Sequence, residues 1–162
     1  WGMMAFSIRF FGRFIINPGF DRKQLDQWTM ALSRLFRKNF LQAPSVIKRL
    51  MGYARIYEDT FHTYDVLLNP TLAHPTPEIG YMGPHVPFEE AFERVRKYVA
   101  FTPIQNVTGA PAISLPLGFG SNGLPLGVQF SAAFGNERSL LELAFELEEA
   151  RPWPRIDQHT VS

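Results

Sequence analysis

The stretch of sequence that decides the fold lies at residues 101–131 and reads FTPIQNVTGAPAISLPLGFGSNGLPLGVQFS. Within it, residues 112–117 and 125–131 are short apolar runs that are typical of β-strands. Asn122-Gly123 lies between the two runs and is a strong signal for a tight hairpin turn. The sequence therefore predicts two strands that lie side by side and are joined by a short turn.

Helical periodicity predicts five amphipathic helices outside this hairpin. Asp21 and Asn136 are expected to cap the second and the last of them. A short apolar run at residues 65–69 predicts a buried strand, and the five prolines of residues 70–87 predict an irregular loop. The five helices are expected over residues 3–16, 22–39, 44–63, 88–99 and 136–150.

The fourth of these helices carries two pairs of opposite charges at i,i+4 spacing. They are Glu90 with Arg94 and Glu93 with Lys97. In the last helix, Leu140 and the apolar residues on the same stripe are expected to face the core.

Composition limits the class of protein. The chain has 162 residues, of which 46% are hydrophobic and 19% are charged. Such a chain can bury a core, and its composition excludes an intrinsically disordered protein. Cysteine is absent, which excludes disulfide scaffolds, cysteine nucleophiles and thiolate metal sites. No segment resembles a secretory signal, so the expected location is the cytoplasm.

The net charge of +1 conceals an uneven distribution of charge. Residues 1–55 contain ten Lys or Arg and two acidic residues, whereas residues 56–162 contain six and thirteen. Either two parts of one fold attract each other, or the first third of the chain meets an anionic surface. The basic residues are not interleaved with exposed aromatic residues, so no nucleic-acid partner is expected.

Three short motifs suggest chemistry, but each has an ordinary structural explanation. Residues 118–123 (GFGSNG) match the G-x-G-x-x-G dinucleotide motif, yet a strand follows them instead of a helix, so we expect a turn. Residues 45–48 (SVIK) match S-x-x-K without its partner motifs, and a serine at a helix start is ordinary capping. Residues 106–108 (NVT) match a glycosylation sequon and are expected to form a turn.

The histidines do not form a recognisable metal site. None of them has the i,i+4 spacing of a helical zinc pair, so we expect neither a metal nor a cofactor. The histidines are His62, His74, His85 and His159.

Residues 101–118, residues 122–130 and the helix after Asn136 together resemble the C-terminal region of amidase signature family hydrolases. Members typically show F-T-x-x-x-N-x-x-G-x-P-a-i-s-x-P-x-G, then G-L-P-x-G-x-Q, then an E-x-x-L-L helix. Residues 65–71 (DVLLNPT) look like the family's strand that ends in P-T, so the match spans about residues 65–150. The residues in register are Asn106, Gly109, Pro111, Pro116, Gly118, Gly123, Pro125, Gly127, Gln129, Glu137, Leu140 and Leu141.

This resemblance implies a fold and a reaction. The family fold is an α/β/α sandwich around a mixed β-sheet, so the chain is expected to be an α/β part of it with a helical first third. The family hydrolyses an amide C–N bond with a Ser nucleophile, a second Ser in a cis peptide and a Lys. Those groups lie in and upstream of a Gly/Ser-rich signature, and nothing like that signature occurs in this sequence. We therefore assign no catalytic residue, and Ser114 and Ser131 match no position of that triad.

The resemblance also points to substrate-binding residues. In the glutamyl-tRNA amidotransferase branch, an Asp before the F-T reads a substrate amino group, and Val99 occupies that place here. A buried unpaired charge is costly, so an apolar lining favours an apolar acyl or aryl amide over a charged one. The expected substrate-binding residues are Val99, Phe101 and Thr102, with Met3 and Phe6 of the first helix.

The first helix has two explanations. The region before the P-T strand covers the substrate entrance in some family members and can touch membranes. The Phe and Met side chains of residues 3–16, with Arg9 and Arg13 nearby, fit the lining of an acyl tunnel or contact with a bilayer surface. A core helix of a larger domain is the other explanation, and it is the usual role of an aromatic stripe.

Together these observations predict the C-terminal part of an amidase. Residues 1–64 form its helical entrance or cap region, residues 65–151 its α/β region and residues 152–162 a tail. The apolar start at Trp1 fits an interior cut in a longer chain. The expected partners are the N-terminal remainder with the nucleophile and a small-molecule amide, and a homo-oligomer is compatible with this assignment. The chain alone is expected to be inactive; the alternative is a non-catalytic binding or interaction module derived from an amidase.

Overall fold

The computed structural model describes residues 1–153. These residues form two compact units, one over Trp1–Arg49 and the other from Leu50 onward. Among them, no helix is both long enough and apolar enough to cross a membrane. Most of the tail predicted at residues 152–162, together with His159, lies outside the described residues.

The first unit is built on two packed helices, α1 over Gly2–Ile15 and α2 over Gln27–Lys38. The rings of Phe6 and Phe36 lie 5.3 Å apart, a distance at which aromatic rings attract each other. The buried apolar residues of the two helices are Ala5, Ala31 and Leu32. The helix predicted over residues 3–16 is confirmed, since α1 differs from that range by one residue at each end.

The start of α2 corrects one sequence prediction. Asp21 accepts a hydrogen bond from the Lys23 N–H at 2.9 Å and begins only a short 3₁₀ turn. Asp26 caps α2 instead, because its two carboxylate oxygens accept from the backbone N–H of Thr29 at 2.9 Å and from its hydroxyl at 2.7 Å. These two bonds stabilise the ionised form and lower the pKa of Asp26.

A third helix, α3 over Ala43–Thr60, begins in the first unit and continues in the second. Pro44 lies in its first turn, as predicted, because a missing N–H costs nothing at that position. Ser45 donates its hydroxyl hydrogen to the Gln42 carbonyl at 2.8 Å, so this serine takes part in the start of the helix.

The second unit contains a three-stranded antiparallel sheet in the order β1-β3-β2. β2 over Ala112–Phe119 and β3 over Pro125–Ser131 confirm the predicted hairpin. The third strand, β1, spans Leu67–Pro70. The sequence predicts a buried strand here, but the side chains of β1 alternate between half-buried and exposed, and Leu68 is 65% exposed. Such alternation is typical of an antiparallel strand with one covered face.

The hairpin turn explains the glycine-rich motif. Gly123 has φ +76°, a conformation that glycine adopts without strain, and its N–H donates to the Gly120 carbonyl at 2.9 Å. The side-chain oxygen of Asn122 accepts from the Leu124 N–H at 3.2 Å. Residues 118 and 119 complete β2 and residues 120–124 form the connection, so the motif belongs to a hairpin, as the sequence predicts.

β2 carries a bulge at its proline. Leu115 pairs with Val128 and Gly118 with Leu126, so β2 contains one residue more than β3 in this interval. Pro116 falls within the bulge, where no ladder N–H is needed. The proline therefore does not interrupt the ladder of hydrogen bonds between β2 and β3.

The core of the second unit lies between the sheet and α6, which spans Glu137–Ala150. Asn136 precedes α6 but makes no side-chain capping bond, which corrects the predicted cap. Its backbone N–H instead donates to the Ala133 carbonyl at 3.0 Å in the preceding turn. The buried residues of this core are Leu115, Phe130, Ala132 and Leu140, with Leu143, Ala144 and Leu147 packed against them.

The fourth helix, α4 over Phe88–Tyr98, follows the predicted proline-rich segment. Its predicted pair of Glu90 and Arg94 is present. Glu93 bonds Arg96 at 2.7 Å instead of Lys97, because the Arg96 guanidinium reaches both carboxylate oxygens from i+3.

Candidate substrate-binding site

Three of the five expected substrate-binding residues lie together where α4 ends. The N–H of Val99 donates to the Val95 carbonyl at 3.0 Å and closes that helix. Phe101 follows and is 39% exposed. The Thr102 hydroxyl donates back to the Val99 carbonyl at 3.4 Å. The short connection therefore presents an apolar and a hydroxyl side chain close to one another.

A short helix fixes the end of this connection, where the sequence predicts only a turn at residues 106–108. α5 spans Pro103–Thr108 and has proline in its first turn. Gly109 ends the helix in the left-handed conformation, with φ +74°, and its N–H donates to the Gln105 carbonyl at 2.8 Å. The proline and the glycine were the available signals for this helix, but an element of six residues shows almost no periodicity.

A buried polar network connects α5 to α3 and to β3. The hydroxyls of Tyr57 and Ser131 are hydrogen-bonded at 2.7 Å. The surrounding donors and acceptors assign the orientation of the Gln105 carboxamide, whose oxygen then accepts from the Tyr57 hydroxyl at 3.1 Å and from the Gln129 amide at 3.0 Å. The Gln105 amide nitrogen donates to the carbonyls of Phe101 and Thr102 at 3.2 and 3.1 Å. This network therefore holds the backbone of two expected site residues.

The members of this network are shielded from water. Ser131, Gln129 and Gln105 are 0%, 5% and 8% exposed. Buried polar groups are tolerated when they are hydrogen-bonded, so each of these side chains depends on its partners. No sequence pattern predicts the network, because its members come from three separate elements.

An open depression of about 460 Å³ lies beside the network. Thr102 is the only one of the five expected residues among its lining residues, since Val99 and Phe101 do not line it. Amide and hydroxyl groups supply its polar character, so it suits a neutral polar ligand through hydrogen bonds. Its lining residues are Thr102, Gln105, Asn106, Gly109, Ala110, Ala112 and Gln129.

Met3 and Phe6, the other two expected residues, belong to the first unit. There they line an apolar groove of about 430 Å³ with Phe11, Phe36 and Ile47. Met3 and Phe11 are 51% and 50% exposed, so this groove is open. Its walls suit an apolar group.

The serines of the sheet are engaged in structural contacts. The Ser114 hydroxyl lies 2.7 Å from that of Thr71, and Ser131 is bonded to Tyr57. Within residues 1–153, no group of three or more acidic or histidine side chains is placed to hold a metal. His74 packs its ring 4.6 Å from that of Tyr98, as a structural aromatic residue would.

A comparison with known protein families identifies the family of this chain. The family model described as Amidase matches residues 21–141, which is most of the chain. The chain belongs to the amidase family. Its matched region contains the hairpin, the connection from α4 to α5 and the buried network.

Individual amidases show the same relationship. The chain is 50% identical over 156 residues to the “Putative amidase AmiC” of Mycobacterium leprae, covering 96% of this chain and 33% of that protein. It is 43% identical over 99 residues to a 6-aminohexanoate-cyclic-dimer hydrolase of a Pseudomonas species, covering 56% of this chain and 20% of that protein. The chain thus spans about a third of the length of its AmiC relative.

The fold of the chain is also similar to that of a solved structure. The structure of a 6-aminohexanoate cyclic dimer hydrolase matches 94% of this chain and 33% of its own, with a TM-score of 0.72 and 32% identity. The expectation of a mixed α/β part of the amidase signature fold is thereby confirmed.

Proposed function

We propose that this chain is the C-terminal segment of an amidase that hydrolyses a carboxylic amide C–N bond, and that the nucleophile and its Lys lie outside the chain. The absence of a Gly/Ser-rich signature from the sequence is the observation that carries this proposal. The engagement of Ser114 and Ser131 in bonds to Thr71 and Tyr57 supports it. Residues 1–64 then form an entrance or cap region and residues 65–151 the supporting α/β region.

The proposed substrate is an uncharged amide with an apolar acyl or aryl group. Val99, Phe101 and Thr102 carry no charge, and the groove that contains Met3 and Phe6 is lined by apolar residues. A carboxylate at the position of Val99 would be needed to pair with a substrate amino group. A relative that is named for a cyclic dimer of 6-aminohexanoate agrees with this class, since a cyclic dimer has no free amino terminus.

The proposal is tested on the protein expressed from its complete reading frame. Hydrolysis of an alkanoyl 4-nitroanilide is compared with hydrolysis of glutamine, and we expect the anilide to be preferred. Val99→Asp should reduce kcat/KM for the anilide at least about tenfold, because under this proposal it places a charge beside an apolar part of the substrate. Val107→Asp, at a residue that is 41% exposed, is the matched control and should leave it unchanged. A preference for glutamine would overturn the substrate assignment.

The isolated chain provides the second arm of the test. Purified residues 1–162 should show no amide hydrolysis, whereas the complete protein should be active. Turnover by the isolated chain would contradict the assignment of the nucleophile to another segment. A complete protein that is inactive on all amides tested would favour the alternative, an interaction module derived from an amidase.

A further inference from the structure

The first unit contains a second cavity, which is lined by basic side chains. It measures about 440 Å³ and lies between α1 and the turn that follows it. Arg9 and Arg13 come from α1, and Arg22 and Lys23 come from the 3₁₀ turn. We refer to these four residues and the cavity that they line as the basic cleft.

Packing within the first unit builds the basic cleft. A Cβ added to Gly12 would lie 2.4 Å from the ring of Phe20, so only glycine permits this close approach. Phe20 thereby rests on the backbone of α1 and brings the following turn against the helix. The Arg13 side chain also donates to the Phe20 carbonyl at 3.4 Å. The four cations are therefore brought together by the fold of this unit.

Within residues 1–153, none of these four cations takes part in a salt bridge. The ion pairs among residues 1–153 are those of Arg94, Arg96 and Arg138. Asp21 also lines the cleft and accepts the Lys23 backbone N–H, so four positive charges of the lining face one carboxylate. Like charges at i,i+4 repel, and further cations across the cleft raise the local positive potential. A bound dianion would relieve this repulsion.

The remaining walls of the cleft are aromatic. Phe10, Phe14 and Phe20 line it, and Phe14 is 90% exposed. When an apolar group covers such an exposed ring, apolar surface is removed from water and the free energy falls. The cleft thus combines an apolar wall with guanidinium groups, each of which can donate two parallel hydrogen bonds to the oxygens of a phosphate.

We propose that the basic cleft binds a phosphate monoester that carries an apolar group. The dianionic phosphate contacts the guanidinium groups, and the apolar group packs on the aromatic wall. Nothing in the proposed amide hydrolysis requires this site, so the two proposals can fail independently.

Binding is measured by calorimetry on the protein expressed from its complete reading frame, with phenyl phosphate and inorganic phosphate as probes. We expect phenyl phosphate to bind more tightly than inorganic phosphate, and both to bind more weakly at high salt. The variant Arg9→Gln/Arg13→Gln should weaken binding at least about tenfold, since each charge-assisted bond contributes that order of affinity. Arg22→Gln/Lys23→Gln, on the turn, should also weaken binding. This second variant keeps the test valid if the first one fails to fold.

The matched control is Arg34→Gln/Arg37→Gln on α2, which removes the same charge from exposed residues that do not line the cleft. Its affinity should equal that of the unaltered protein. Equal losses of affinity in the control and the cleft variants would show that the effect depends only on net charge, which would overturn the proposal. The absence of millimolar binding of phenyl phosphate would also overturn it. Co-sedimentation with phosphatidic acid vesicles identifies the source: when phenyl phosphate binds, vesicle binding that the cleft variants weaken assigns the phosphate to a lipid headgroup, and no vesicle binding assigns it to a free phosphate monoester. Vesicle binding without binding of phenyl phosphate would overturn the proposal.

Discussion

The hydroxyl groups of Tyr57 and Ser131 lie 2.7 Å apart, although 74 residues separate them in the sequence. Tyr57 belongs to α3, and Ser131 is the last residue of β3 and is fully buried. Through Gln105, the same hydroxyl of Tyr57 is connected to the carbonyls of Phe101 and Thr102. One pair of hydroxyls therefore joins a helix, a strand and the expected substrate-binding connection.

Removal of the Tyr57 hydroxyl should destabilise the second unit. Tyr57→Phe removes the partner of the buried Ser131 hydroxyl and one of the bonds to Gln105, which should lower the free energy of unfolding by about 1–3 kcal/mol. Urea unfolding measures the change. Tyr53→Phe, on the same helix at a residue that is 50% exposed, is the control and should have almost no effect. Equal effects of the two substitutions would show that the network does not contribute to stability.

A buried and an exposed leucine of α6 should respond differently to truncation. Leu140 is 3% exposed in the core, whereas its neighbour Leu141 is 53% exposed. Leu140→Ala should cost about 2–5 kcal/mol, because it leaves a cavity between the helix and the sheet. Leu141→Ala should cost under about 1 kcal/mol in the chain alone. Thermal or urea unfolding of both variants checks this, and the reverse order would contradict the position of the core.

Gly127 of β3 should not tolerate a side chain. An added Cβ would lie 2.8 Å from the Thr71 hydroxyl oxygen and 3.0 Å from that of Ser114. Gly127→Ala should therefore destabilise the protein by about 1–3 kcal/mol, as overpacking does. Gly118→Ala is the control, since nothing lies within 4 Å of its added Cβ.

A double-mutant cycle tests the stated cause of this effect. In a Thr71→Ala/Ser114→Ala background both hydroxyls are absent, so Gly127→Ala should cost measurably less than in the unaltered protein. A cost that is the same in both backgrounds would exclude steric contact with these hydroxyls as the reason.

The cap of α2 should make stability depend on pH in the acid range. The bonds from Thr29 lower the pKa of Asp26 below its ordinary value of 3.8. Because the pKa is lower in the folded state, the carboxylate contributes stability above pH 3.8 that is lost as the pH falls through the folded pKa. Asp26→Asn retains a capping side chain but cannot ionise. The difference in unfolding free energy between the two proteins should therefore shrink on acidification, and a constant difference would contradict the assignment.

Local patterns were sufficient for much of the framework. The turn at Asn122 and Gly123, the two strands that flank it and the helix after Asn136 all appear where the sequence places them. Errors occurred where two similar local signals competed. Asp26 caps α2 five residues beyond Asp21, and Glu93 bonds Arg96 in place of Lys97.

The sequence by itself determined the family, the hairpin and the order of the five long helices, because hydrophobic period, proline and glycine act over a few neighbouring residues. Only the tertiary structure decided that Tyr57, Gln105 and Ser131 meet, and that Arg9 and Arg22 line one cleft. Such contacts join residues that are distant along the chain or lie on different elements. Their positions depend on how whole helices and strands pack, and no local pattern records that packing.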